Sequence, residues 1–281
     1  MKRKIDKESV LIGSDFEMFL RNKEGKIISA IPFNSGTKAE PEKLSKKGCC
    51  IQRDGVLQEC NVPPVKLDQG STFAKNVEFV KGFIMGSFGS KNDLELVCCA
   101  SAELEDDQLL DPEAHEIGCD PDFNAWDNGN INEKPASFAS GLRSCGGHIH
   151  FSYPNADTLI SMDLMKCFDL HLTVPFLLID PDERRRQLYG KAGAFRICDW
   201  GKAAGFEART LSNYWLSSKE TILYVFKQLN QMFDYYNTKG MKEINKDNEH
   251  IINAINNSNI ELALQLCEKY DVNVIRKLNL V

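Results

Sequence analysis

The feature that most constrains this chain is a set of short segments in which charged or imidazole side chains alternate with apolar ones. In the clearest segment, residues 144–153, His148 and His150 stand two positions apart, with Ile149 and Phe151 at the positions that alternate with them. Side chains on a β-strand point alternately to opposite faces, so both imidazoles share one face. The pattern predicts a sheet with one face in the core and one face that carries chemistry.

Alternation and helical periodicity together predict the fold class. Further strands are expected over residues 11–20, 27–31, 54–62, 94–102 and 206–211. Apolar residues three and four apart predict helices over residues 71–88, 163–178 and 218–236, with shorter helices over 243–255 and 259–270. We therefore predict an α+β protein, with a catalytic domain over residues 1–216 and a helical C-terminal extension over residues 217–281 packed on it.

Boundary signals refine this prediction. Pro63 and Pro64 are expected to end the strand before them, because proline cannot donate to a central ladder. Ser217 and Ser218, with Glu220, predict the N-terminal cap of the longest helix. Residues 104–142 are rich in Asp, Asn, Pro and Gly, and they predict a long loop of the kind that often carries function.

Charge and cysteine content narrow the class of partner. A formal net charge of −6 over 281 residues disfavours nucleic acid and anionic membrane, which attract a surplus of Lys and Arg. The chain shows neither a signal peptide nor an apolar run long enough to span a bilayer. Its ten cysteines include no CxxC pair, which favours reduced thiols over structural zinc. We expect a cytoplasmic protein that acts on small molecules or peptides.

Two strand-like segments place carboxylates among apolar residues. Asp15 and Glu17 share one face of residues 11–20, and Glu59 lies near the end of residues 54–62. Such groups are costly unless a cation or water meets them. A metal site and an ordinary solvated face both account for them.

Imidazoles and guanidinium groups complete the candidate set. His148 and His150 suit a divalent cation or an acid and base pair, although a core or surface strand also explains a His-x-His pattern. Glu207 shares a strand face with Arg209. A run of basic residues interrupted by glycines is typical of polyphosphate binding, and a solvated, salt-bridged turn is the alternative for some of its members. These basic residues are Arg184, Arg185, Arg186, Lys191 and Arg196.

The order of these motifs resembles a known family. The segments GSDFE, DGVLQECNVPP, GCDPDF, RSCGGHIHF, DPDERRRQLYGKAGAFR and GFEARTLSNYWL follow one another over residues 10–216. They are similar to the phage-associated carboxylate-amine ligases, or type 2 amidoligases, which are distant relatives of glutamine synthetase and glutamate-cysteine ligase. Two departures are Phe16, where that family more usually has proline, and the polar Gln58 with Cys60 around Glu59.

The resemblance implies a glutamine synthetase-like fold, in which a curved, mainly antiparallel sheet backed by helices holds ATP and two or three Mg²⁺ or Mn²⁺ ions. By position, the metal ligands would be Asp15, Glu17, Glu59, His148 and Glu207. Arg209 would stabilise the transferring phosphoryl group, Arg196 would bind phosphate, and His150 would join them as a catalytic residue. Arg185 and Lys191 would be further ATP-binding residues. The helical C-terminal part has no counterpart in this resemblance.

The resemblance implies an ATP-dependent ligase that joins a small-molecule or peptide carboxylate to an amine through an acyl phosphate. The residues leave two alternatives open. A metal-dependent hydrolase would use the histidines and carboxylates to activate water, but it would leave the arginines without a role. A binding protein with the same fold would bind ATP and form no product. A homo-oligomer is compatible with the sequence.

Overall fold

The large sheet is formed around one long strand. The computed structural model describes residues 4–115, 122–132, 141–180, 182–201 and 203–275. Its strands are β1 (Leu11–Asn22), β2 (Ile27–Ile28), β3 (Glu42–Lys43), β4 (Cys50–Asp54), β5 (Leu57–Lys66), β6 (Leu94–Val97), β7 (Ser101–Glu103), β8 (Phe123–Asn124), β9 (Asn130–Ile131), β10 (Leu142–Ser144), β11 (Ile149–Ser152), β12 (Ala194–Asp199) and β13 (Ala204–Ala208).

Neighbouring strands of the large sheet are antiparallel throughout. The order is β3-β4-β5-β1-β11-β13-β12-β8-β9. The C-terminal end of β1, residues 19–22, also pairs with β2 and β6. Strands β7 and β10 form a separate pair. The predicted mixed α+β class with a large antiparallel sheet is confirmed.

Two prolines lie inside β5, so the prediction that they end this strand is wrong. The register against β1 shifts here, because Val62 is paired with Ser14 and Val65 with Ile12. This bulge places Pro63 and Pro64 in the irregular part of the ladder, where missing donors cost little. On the other side of β5, pairing with β4 extends only to Asn61, so the prolines also lie on a free edge.

Several predicted strands have different limits. The strand expected over residues 94–102 is two strands, β6 and β7, and the one expected over residues 144–153 is interrupted by Gly146 and Gly147 before β11. Strand β12 was not predicted. Its inner residues alternate less clearly, since Ala194 and Phe195 are both buried. The loop expected over residues 104–142 contains short 3-10 turns with β8 and β9, and part of its GCDPDF motif lies outside the described residues.

The helices pack on the apolar face of the sheet. A π-helical turn, Met85–Gly89, extends the first helix, and another, Asp169–Thr173, joins the second helix to the third. The helices are α1 (Gly70–Ile84), α2 (Thr158–Phe168), α3 (Val174–Phe176), α4 (Arg185–Leu188), α5 (Lys219–Thr238), α6 (Lys242–Lys246), α7 (Asn248–Asn256) and α8 (Ile260–Lys269).

Helix α5 begins as the sequence predicts, but with a different capping partner. The Ser218 hydroxyl accepts a hydrogen bond from the Thr221 backbone N–H, and the Thr221 hydroxyl accepts one from the Ser218 backbone N–H. Thr221 is at the N3 position that completes a capping box, whereas Glu220 is exposed one position too early. The predicted role of Glu220 in the cap is therefore wrong.

The C-terminal helices share the core of the sheet. Phe151 on β11 stacks on Phe206 of β13 at 4.6 Å between ring centroids. The ring of Phe233 on α5 lies 6.2 Å from the ring of Phe151. Residues of α7 and α8 belong to this continuous buried cluster. Residues 217–275 thus complete the apolar layer behind the sheet, and the opposite face of the sheet carries polar groups.

Two further observations concern predictions made from the sequence about membrane-spanning helices and cysteines. Among the described residues, no helix has both the length and the apolar character needed to cross a membrane. The cysteines in the described part of the chain carry free thiols.

Candidate functional site

The polar face of the sheet collects the predicted carboxylates and imidazoles through cross-strand pairing. Glu17 on β1 lies opposite Glu59 on β5, and Asp15 lies opposite Asn61. On the other side of β1, His150 of β11 lies opposite Glu207 of β13. Residues that stand directly opposite on antiparallel strands have Cβ atoms about 5 Å apart. Four strands, β1, β5, β11 and β13, therefore bring distant parts of the sequence into one cluster.

Asp15, His150 and Glu207 form the centre of this cluster. Each offers one ligand atom, and these atoms lie within 4.8 Å of one another. His150 Nε2 is 3.0 Å from Asp15 Oδ1, while His148 Nδ1 is 3.3 Å from the same oxygen and 3.2 Å from Glu207 Oε1. The resemblance implies that His148 and Glu207 are both metal ligands. In the structure, His150 contributes to the triad, and His148 contacts both of its carboxylates.

The histidines change the ionisation of Asp15. Burial opposes ionisation of this carboxyl, but the charge of His150 and the close approach of both imidazoles outweigh burial and hold its pKa well below the usual value. Burial also opposes charge on His150, yet the Asp15 carboxylate raises the pKa of this imidazole. The centre of the cluster therefore favours a charged carboxylate beside a readily protonated imidazole.

Glu17 and Glu59 form an acidic pair next to the triad. Both side chains are buried, and burial raises the pKa of Glu17. Burial, followed by the charges of Asp15, Asp54 and Glu17, raises the pKa of Glu59 well above its usual value. Like charges opposite each other destabilise a sheet, and a cation between them would remove this repulsion.

Gly146 and Gly147 allow the close packing that positions the imidazoles. The Gly146 backbone N–H donates to Glu17 Oε2 at 2.6 Å. A Cβ on Gly146 would collide with the His148 ring, and one on Gly147 would collide with the Ser212 carbonyl. Both positions therefore require glycine because neighbouring atoms occupy the space of a side chain.

Two of the predicted arginines are beside the triad. Arg209 directly follows β13, is buried, and donates through Nη1 to Glu207 Oε1. Arg196 on β12 lies opposite Glu207, with Nη1 3.6 Å from Glu207 Oε2. Two guanidinium groups beside a carboxylate and a candidate cation site are suited to phosphate oxygens.

The other predicted basic residues have different surroundings. Arg185 is buried and donates through Nη2 to the carbonyls of Arg209 and Leu211, so its guanidinium supports the chain after β13. Lys191 is exposed in the turn before β12, and the described contacts do not connect it to the cluster. The proposed ATP contacts of these two residues stay predictions.

A small cavity continues the polar face beyond His150. It has a volume of about 210 Å³ and is lined by His150 and Ser152, with apolar walls that include Pro64 and Trp200. The Trp200 ring lies 5.7 Å from the His150 ring between centroids. The cavity offers space for an organic group directly beside the triad.

Sequence reasoning missed supporting residues around the cluster. Asn213 is fully buried and donates through Nδ2 to the Glu17 carbonyl, and Trp215 Nε1 donates to the Gly147 carbonyl at 2.9 Å. Asp169 accepts hydrogen bonds from the Trp126 indole and the Gly193 backbone N–H, which fixes the turn before β12. Asn213 and Trp215 lie within the quoted motif GFEARTLSNYWL, whereas only the fold shows what they contact.

The donor set of the triad fits a divalent cation. Carboxylates suit Mg²⁺ and Mn²⁺, and an imidazole beside them suits a transition-metal ion. Asp15 Oδ1 is buried and, among the described residues, has no hydrogen-bond partner of good geometry, although both imidazoles approach it. A buried acceptor of this kind is suited to a positive ion. Glu17 and Glu59 supply further oxygen donors.

Comparison with known proteins gives one family match. A sequence profile of the family described as phage phiEco32-like COOH.NH2 ligase-type 2 matches residues 130–274. The match includes His148, His150, Arg196, Glu207 and Arg209, and it extends through the C-terminal helices. No curated protein sequence matches the chain.

Proposed function

Because this chain belongs to the phage phiEco32-like COOH.NH2 ligase type 2 family, we propose that it is an ATP-dependent ligase that joins a carboxylate to an amine. The γ-phosphoryl group of ATP would be transferred to the carboxylate oxygen, forming an acyl phosphate and ADP. The amine would then attack the acyl carbon, release phosphate and leave an amide. We also propose that the antiparallel sheet is the glutamine synthetase-like catalytic fold.

The single observation that carries this proposal is the position of the triad beside two arginines. Asp15, His150 and Glu207 bring their ligand atoms within 4.8 Å, and Glu207 contacts both Arg196 and Arg209. Phosphoryl transfer needs positive charge around the transferring group, supplied by divalent ions and arginine. Hydrolysis at a metal site does not need this pair of arginines, so the geometry favours the ligase over the hydrolase.

The residues would divide the work in the following way. Asp15, His150 and Glu207 would hold one Mg²⁺ or Mn²⁺, with His148 orienting the two carboxylates, while Glu17 and Glu59 would hold another. Such ions neutralise phosphate oxygens when bound. Arg209, fixed by its bond to Glu207, would stabilise charge on the transferring phosphoryl group, and Arg196 would bind a phosphate oxygen.

The substrate class follows from the same chemistry. We propose a small-molecule or peptide carboxylate and an amine as the two substrates. The cavity of about 210 Å³ beside His150 provides one place where an organic group can approach the cluster.

The proposal is tested by Glu207→Gln, which removes the charge that the triad and both arginines share. We expect turnover of ATP that depends on Mg²⁺, a carboxylate and an amine to fall by about 10²–10³-fold. Phosphate release and mass spectrometry of the condensed product are the measurements, with amino acids and polyamines as trial substrates. The matched control is Glu220→Gln, which changes an exposed carboxylate on α5 and should leave turnover unchanged.

Three results would contradict the proposal. Normal ATP turnover in Glu207→Gln would remove the site assignment. Metal-dependent hydrolysis that proceeds without ATP would favour the hydrolase. Binding of ATP without product for any substrate pair would favour a binding protein.

A further inference from the structure

A second, open cavity lies between the C-terminal helices and the π-helical turn Asp169–Thr173. Its volume is about 700 Å³, and its walls come from α5, α6 and α8. None of its lining residues belongs to the cluster of Asp15, His150 and Glu207. Any ligand of this cavity would therefore occupy a place separate from the proposed active site.

His171 lines this cavity and has unsatisfied hydrogen-bonding groups. Its side chain comes from the π-helical turn, is only 4% exposed, and neither ring nitrogen has a hydrogen-bond partner among the described residues. A buried imidazole without partners is costly, and buried polar groups in proteins are nearly always paired. Single π-helical turns inside helices frequently occur at functional sites. A ligand with a hydrogen-bonding group would satisfy this imidazole.

The charged residues around the cavity leave a small positive excess. Three of these residues are neutralised by ion pairs: Lys269 pairs with Asp247, Asp234 with Lys7, and Glu243 with Lys246. Lys239 and Lys242 line the same cavity and have no ion pair within the described ranges, against one unpaired carboxylate, Asp271. Two ammonium groups that line a cavity attract an anionic group.

Aromatic side chains form another wall. The Tyr235 ring lies 5.1 Å from the His171 ring and 6.1 Å from the Tyr270 ring, measured between centroids. The Tyr270 hydroxyl is already bonded to the Glu243 carbonyl and the Asp247 carboxylate, so this side chain offers mainly its ring to the cavity. Aromatic walls favour ligands with a planar ring.

We propose that this cavity binds a small organic anion, a carboxylate or a phosphate ester, that carries an aromatic or heterocyclic ring. The anionic group would meet Lys239 and Lys242, the ring would pack on Tyr235, and a polar atom would bond to His171. This inference goes beyond the proposed ligase activity and does not depend on it.

The test uses phenyl phosphate and benzoate as probes of the two anion types. The chain has five histidines, so the His171 ring signal can be followed by NMR after assignment with His171→Gln. We expect at least one probe to shift this signal with a Kd of about 1 mM or lower. Inorganic phosphate, which lacks the ring, and benzylamine, which has the opposite charge, should bind at least about tenfold more weakly.

Variants at exposed positions keep the test independent of folding. Lys239→Ala combined with Lys242→Ala should weaken binding of the probe by about tenfold or more. Lys227→Ala, which removes an exposed lysine of α5 outside the cavity, should leave the affinity unchanged. The proposal is overturned if neither aromatic anion shifts the His171 signal, if inorganic phosphate or benzylamine binds as tightly, or if the two lysine changes have no effect. The assay measures binding alone, so a failure of the ligase proposal would not affect it.

Discussion

At the scale of single residues, the site depends on how closely backbone and imidazole approach at Gly146. The Gly146 N–H donates to Glu17, and the space where a Cβ would stand is occupied by the His148 ring. The chemistry of His148 therefore depends on a neighbour that has no side chain.

We expect Gly146→Ala to displace His148 and lower metal-dependent ATP turnover by about 10²-fold, because small misplacements at a catalytic site are costly. Turnover and Mn²⁺ affinity are the measurements. The matched control is Gly82→Ala on the exposed side of α1, where an added Cβ meets no atom within 4 Å. It should stabilise the protein by about 0.5–1 kcal/mol through helix propensity and leave activity unchanged. Equal activity in the two variants would show that Gly146 does not position the site.

At the scale of elements, helix α5 connects the sheet to the C-terminal helices, and its start is fixed by the reciprocal pair Ser218 and Thr221. The helix buries a stripe that includes Phe226, Leu229 and Phe233 against the same core as β11 and β13. Its first turn therefore sets where this stripe begins.

Loss of the cap should be measurable as stability. We expect Ser218→Ala to lower the free energy of unfolding by about 1 kcal/mol, because it leaves the Thr221 N–H without its acceptor. Urea denaturation followed by circular dichroism measures the change. Ser217→Ala should have a smaller effect, since its buried hydroxyl has no hydrogen-bond partner in the described part of the chain. A larger loss for Ser217→Ala than for Ser218→Ala would be inconsistent with this cap.

At the scale of the whole molecule, stability should depend on pH through His171. Burial lowers the pKa of this imidazole from 6.5 to about 4. Above about pH 6.5, it is uncharged in both folded and unfolded chains. As the pH falls from there towards 4, only the unfolded chain takes up the proton, so the folded state loses stability.

This difference corresponds to a loss of about 3 kcal/mol in the free energy of unfolding between pH 6.5 and 4. The charged residues Lys239, Lys242 and Asp271 line the same cavity. They are present in both the parent protein and the variant, so the difference between the two proteins reports on the imidazole of His171. We expect His171→Gln to make the decline with falling pH shallower by about this amount, measured by urea denaturation at several pH values. His250→Gln, at an exposed histidine, should retain the parent slope. The prediction would be contradicted if the free energy of unfolding fell equally with pH in the parent protein, His171→Gln and His250→Gln.

The sequence by itself determined which side chains share a face within one strand. Asp15 with Glu17 could be paired from spacing alone, because strand geometry is local and has a period of two. The same local logic predicted the helices α1 and α5 and the mixed α+β class, whereas the antiparallel sheet was implied by the family resemblance. The motifs also indicated the family to which the chain belongs.

Only the tertiary structure decided which strands are neighbours and in which register. Glu17 meets Glu59, and His150 meets Glu207, through pairing between residues that are distant in sequence. A shift of one residue would turn either partner to the opposite face, and spacing along one strand contains no information about this choice. For the same reason, the sequence did not show that Arg185 supports backbone carbonyls or that β5 accommodates two prolines on a free edge. It also did not show that helices α5, α6 and α8 line an open cavity together with His171.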